Sequence, residues 1–79
     1  MKAKYIIIKR GGIEYPLVFS ELMEHAATAR AIGGDVLSGG FCYTEDDTWV
    51  CYGESISLRL KSRGDADSKV LNEMLTARY

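Results

Sequence analysis

Cysteine occurs only twice in this 79-residue chain, proline, tryptophan and histidine once each, and neither sign of charge prevails. Two cysteines are too few for a disulfide-rich secreted scaffold. One histidine leaves a zinc site short of ligands, since only His25 could join Cys42 and Cys51. Ten Lys and Arg against 11 Asp and Glu give a net charge of −1, which argues against a polyanion binder of the usual basic kind. No apolar run approaches the ~18 residues of a membrane span. The start has Lys2 and Lys4 before only a short apolar run, Tyr5 to Ile8, and no small-residue cleavage site. The expectation is a cytoplasmic protein with reduced thiols and no cofactor.

What is there is ordinary globular composition, 47% apolar and 27% charged, in one domain spanning residues 1–79. No linker, low-complexity segment or short-period repeat interrupts it. The β-branched run Lys4 to Lys9 predicts a strand, and Arg10-Gly11-Gly12 a tight turn. Ile13, Tyr15, Leu17 and Phe19 alternate along a second strand, which Pro16 places at a sheet edge. Ser20 is a candidate cap for a helix over residues 21–32, with Leu22, Met23, Ala26, Ala27 and Ala31 as its apolar stripe. Val36 to Thr44 predicts a third strand, weakened or bulged at Gly39-Gly40, and Trp49 to Tyr52 a fourth. The alternation of Ile56, Leu58 and Leu60 predicts a continuation or a fifth strand. Asp65 or Asp67 caps a last helix carrying Val70, Leu71, Met74 and Leu75. The fold class is α+β, in the order ββα-ββ(β)α. It has an antiparallel four- to five-stranded sheet with two helices packed on one face.

A hairpin centred between Asp46 and Asp47 sets Cys42 opposite Cys51, at a non-hydrogen-bonded pair where side chains come closest. That is a possible cross-strand thiol pair; the plainer reading is two reduced thiols packing as small apolar groups. His25 follows Glu24 and lies one turn after Glu21, as a solvated helix-surface residue would. Gly53-Glu54-Ser55-Ile56-Ser57 starts like a nucleophile elbow but lacks the second glycine and the large α/β context. Asp65 to Lys69 starts like a calcium loop, but Lys69 falls on a ligand position. The glycine pairs lack the Gly-Lys-Ser/Thr ending of a phosphate loop.

Two surface features remain. Lys2, Lys4, Lys9, Arg59, Lys61 and Arg63, with Arg10, would form one basic patch if the first and last strands adjoined. Tyr43, Trp49 and Tyr52 all fall on the second hairpin, where aromatics could form a protein-binding edge.

The run Tyr5-Ile6-Ile7-Ile8, the stretch Pro16-Leu17-Val18-Phe19 with His25, then Ser38-Gly39-Gly40-Phe41, Gly53 to Leu58 and Ser62-Arg63 together resemble a family. It is that of small stand-alone proteins carried by bacteriophages and prophages of proteobacteria. The resemblance spans most of the chain as a pattern and transfers no functional residue. It implies a bacterial cytoplasm and a mobile-element accessory gene whose product modulates a host protein or nucleic-acid machine. The leading expectation is a non-enzymatic accessory protein that binds a host or phage protein, with a homodimer as a further expectation. A nucleic-acid-associated protein using the basic patch is the alternative, and a small thiol-redox protein using Cys42 and Cys51 the third.

Overall fold

Tyr5, Ile6, Ile7 and Ile8 are all buried, so the strand that carries them is covered on both faces. The computed structural model describes residues 2–75; Met1 and residues 76–79 of the expected domain lie outside the described residues. Strand β1 (Ala3–Arg10) pairs antiparallel with β2 (Ile13–Phe19) and β3 (Asp35–Glu45), and β3 pairs with β4 (Thr48–Tyr52). The order β2-β1-β3-β4 makes one four-stranded antiparallel sheet. Gly11 and Gly12 have φ of 60° and 78°, and Asp46 and Asp47 have 51° and 62°, as two-residue primed turns require. The architecture is therefore the antiparallel α+β class that the pattern predicts.

Helix placement differs from the expectation. Tyr5 and Ile7 pack with Cys42, Cys51 and Leu71 of α2 (Asp65–Met74). Ile6 and Ile8 pack with Ala29 of α1 (His25–Ile32). Successive strand side chains point to opposite faces, so the helices cover opposite faces and not one. The irregularity expected at Gly39-Gly40 falls instead at Leu37, opposite the Ile7–Ile8 step. Gly40 serves a different need: a Cβ there would overlap the carbonyl oxygen of Tyr52.

The first helix is also shorter than predicted. The Ser20 hydroxyl accepts the Leu22 N–H at 3.1 Å and the Ser20 carbonyl accepts the Met23 N–H at 3.0 Å. Such local side-chain bonding competes with helix formation. The chain turns, and the helix starts after Glu24, which has extended φ and ψ of −81° and 141°. The buried face is His25, Thr28 and Ala29 in place of the expected stripe. Residues 56–60 are no continuous strand either. Ser55 Oγ accepts the Leu58 N–H at 3.2 Å, residues 56–59 turn, and β5 (Glu54–Ser55) and β6 (Leu60–Lys61) form a separate small hairpin against β3.

Helix α2 is fixed by a polar network. Asp67 is fully buried; its carboxylate accepts from the Tyr5 hydroxyl, from Arg63 N–H at 2.9 Å and from Arg63 Nε at 2.7 Å. Tyr5 has one proton, so Ser62 donates to the Tyr5 oxygen at 2.6 Å and accepts the Gly64 N–H at 2.9 Å. Arg63 reaches on to Glu14 of β2 at 2.6 Å. Burial pushes the Asp67 carboxyl up, and the bonds from Tyr5 and Arg63 more than reverse this, leaving it below the usual carboxylate range.

The two sheet edges are treated differently. On β4, Trp49 N–H donates to Asn72 Oδ1 at 2.7 Å, Asn72 Nδ2 donates to the Trp49 carbonyl at 3.2 Å, and Cys51 N–H donates to Ser68 Oγ at 2.9 Å. Helix α2 thus occupies the outward bonds of that edge. On β2, Pro16 sits opposite Ile7 at a non-hydrogen-bonded pair. Its missing N–H therefore belongs to the outward row and costs the ladder with β1 nothing.

Candidate functional site

Beyond the cover of α1, one face of β3 and β4 carries a row of rings. Phe41, Tyr43, Val50 and Tyr52 share this face because Phe41 pairs with Tyr52 and Tyr43 with Val50. Ring centroids lie 5.4 Å apart for Phe19 and His25, 6.0 Å for His25 and Phe41, 5.9 Å for Phe41 and Tyr52, and 5.8 Å for Tyr52 and Tyr43. These are favourable aromatic separations, three of them edge-on. Lys2 Nζ stands 4.6 Å over the Phe41 ring, a cation–π distance.

An open groove of about 530 Å³ runs over Phe41 and Tyr52, with Lys2, Lys4, Glu24 and Glu54 among its lining residues. Ile56, 84% exposed, stands at its side, and Leu22, 93% exposed, lines an adjoining groove that shares Lys2. Both residues owe their exposure to the serine-held turns that replace the expected helix and strand. Two of the groove's polar groups are already engaged. Lys4 Nζ donates to the Met23 carbonyl at 2.7 Å, and Ser57 Oγ accepts the Ala26 N–H at 3.1 Å.

His25 departs furthest from its sequence expectation. It is buried, not solvated, with Nε2 2.8 Å from the Gly40 carbonyl. A carbonyl only accepts, so Nε2 carries the proton. Burial pulls its pKa below the usual imidazole value, the bond to Gly40 opposes this, and Lys4 adds to the lowering. Neutral His25 is a wall between Phe19 and Phe41, and it hydrogen-bonds no serine, threonine or cysteine among the described residues.

The expected protein-binding set divides. Tyr43 and Tyr52 join the ring row, but Trp49 pairs with Thr44 and points to the opposite face, packed against the α2 core. Phe19, His25 and Phe41 complete the ring row, and Ile56 and Leu22 stand exposed beside it. Phe41 was legible, since it lies two residues before Tyr43 on one strand face.

The expected basic patch is not assembled by strand pairing, because β1 is flanked by β2 and β3 while β6 pairs with β5. Lys2 and Lys4 face the groove, Lys9 points to the α2 face opposite Glu14, and Lys61 sits opposite Glu54. Arg59 occupies the 56–59 turn at φ 55°, and Arg63 is bound to Glu14 and Asp67.

Cys42 and Cys51 do face each other across β3 and β4, both as buried free thiols. They lie on the α2 face and His25 on the α1 side, so the sheet keeps these three apart; among the described residues no cluster of three His, Cys, Asp or Glu could hold a metal. No helix among the described residues is long and apolar enough to cross a membrane. Comparisons with protein-family models, with curated proteins and with solved structures gave no match to this chain.

Proposed function

We propose that this chain is a non-enzymatic accessory protein of the phage or prophage kind that works by gripping a host or phage protein through the aromatic groove. The observation that carries the reading is the exposure of Ile56 and Leu22, 84% and 93%, around the partly open Phe41–Tyr52 floor. Large apolar side chains held out by turns, beside rings and under a rim of both charge signs, match the make-up of a protein contact surface. The engagement of His25 with Gly40, and of Ser57 with Ala26, fits a binding role better than a catalytic one.

Nucleic acid is the second reading, favoured by Lys2 and Lys4 beside stackable rings. Glu24 and Glu54 face the same groove and weigh against a polyanion there.

The test is capture from a nuclease-treated bacterial lysate on the tagged chain. A discrete protein should be retained in stoichiometric amount and lost with Ile56→Asp or Tyr52→Ala. Retention that survives both substitutions sinks the groove reading. Retention that vanishes on nuclease treatment, with a steep salt dependence, replaces it with the nucleic-acid reading.

A further inference from the structure

Cys42 and Cys51 do not belong to the groove; they lie on the other face of the same two strands, beneath α2. Their positions are direct partners in the β3–β4 ladder, and counting back from the Asp46-Asp47 turn makes theirs a non-hydrogen-bonded pair. The outward-pointing N–H of Cys51, taken by Ser68 Oγ at 2.9 Å, agrees with that count. Such a pair has an α-carbon separation of roughly 4.5 Å, at the short end of the disulfide range. A disulfide there forms with little backbone movement and with strain, the condition under which such bonds are readily reduced again.

Helix α2 decides whether the thiols can react. Leu71 packs in one cluster with both cysteines, Ser68 holds the Cys51 amide, and Asn72 holds both backbone groups of Trp49 two residues away. We propose that Cys42 and Cys51 are a reversible thiol-oxidation site gated by α2, closing to an intramolecular disulfide when the helix lifts and a low-molecular-weight disulfide is present. One cysteine thiolate attacks the reagent, which loses one half as a thiol. The second cysteine then attacks the mixed disulfide and releases the other half. One S–S bond forms in the protein, one breaks in the reagent, and the two protons end on the two released thiols.

The closed molecule is guarded by burial, which pushes the Cys42 thiol up to about 12 and that of Cys51 to about 11. Thiolate is the attacking species, so reaction waits for opening. The proposal is independent of the groove's partner, and capture experiments neither support nor weaken it.

The test exposes the full-length chain to oxidised glutathione at neutral pH and follows non-reduced mass with thiol titration. The expected product is a monomer two hydrogens lighter, restored by dithiothreitol. Asn72→Ala and Ser68→Ala should each speed its formation about 5-fold by loosening α2. Should either variant fail to fold, acceleration of the native chain by sub-denaturing urea is the second readout. Stable glutathione adducts, covalent dimers, or thiols that persist under conditions that oxidise the denatured chain would overturn the site. A disulfide whose rate ignores both substitutions and urea would overturn the gate.

Discussion

Around α2 the polar side chains turn inward and bond one another, whereas beside α1 large apolar side chains turn outward. Asp67, Tyr5, Ser62 and Arg63 close a network within the chain, and Ser68 and Asn72 occupy the edge of β4. On the other side Leu22, Ile56 and Tyr52 remain open to solvent. The same sheet thus separates a face closed by internal polar bonds from one that leaves large apolar side chains open to solvent. In a domain this small, with a net stability of only a few kcal/mol, an exposed apolar surface is affordable only if the opposite face is well determined.

The sharpest way to break the contrast is to empty the network. Asp67→Ala leaves the Tyr5 hydroxyl and the Arg63 main-chain N–H without their buried acceptor, while the guanidinium keeps Glu14, and each such donor left unsatisfied costs about 1–3 kcal/mol. Urea denaturation should find this variant largely unfolded, and an unchanged midpoint would contradict the role given to the network.

Acid should dismantle the two faces in sequence. His25 has its folded pKa held below the ordinary value of about 6.5. Its contribution is therefore full above that pH and is lost as pH falls through the folded value. Asp67 and Glu14 are likewise depressed, so theirs is full above about 4 and disappears only in stronger acid. Denaturant midpoints from pH 8 to 2 should fall in two stages. His25→Gln should erase the upper stage and leave the lower one, and a single stage in the native chain would refute the assignment.

The smallest effect is expected on the open face. Ile56→Asp should move stability by no more than about 0.5 kcal/mol, while Trp49→Ala, on the other face, should cost about 3 kcal/mol. If the two swapped rank in thermal melts, the division of the aromatics between faces would be wrong.

Much of the sheet was legible because strand alternation, the Gly11-Gly12 turn, the Asp46-Asp47 turn and the single proline are local signals. The Cys42–Cys51 pairing followed from counting back along one hairpin. Two helices on one face is the simplest expectation from element order, yet Tyr5 to Ile8 carries the clue against it: four consecutive buried residues on a strand need cover on both sides. Proximity in sequence groups Trp49 with Tyr52, although their odd spacing along one strand puts them on opposite faces. The shortened first helix was hidden, since Ser20 caps a helix or closes a turn with the same hydroxyl. The burial of His25 depends on Phe19, Phe41 and Gly40, three contacts from two other strands, and no local spacing encodes it.

Pro16 has a consequence beyond the ladder it leaves intact. A strand from another molecule approaching β2 would find outward donors at Glu14 and Val18 but none between them, a gap of roughly 13 Å at ordinary strand rise. Templated growth of a foreign sheet needs an unbroken row, and one pyrrolidine ring interrupts it at the middle of the strand. Crowded copies of the chain therefore meet a blunted edge at β2, one that resists adding a foreign strand without any cover from helix or loop.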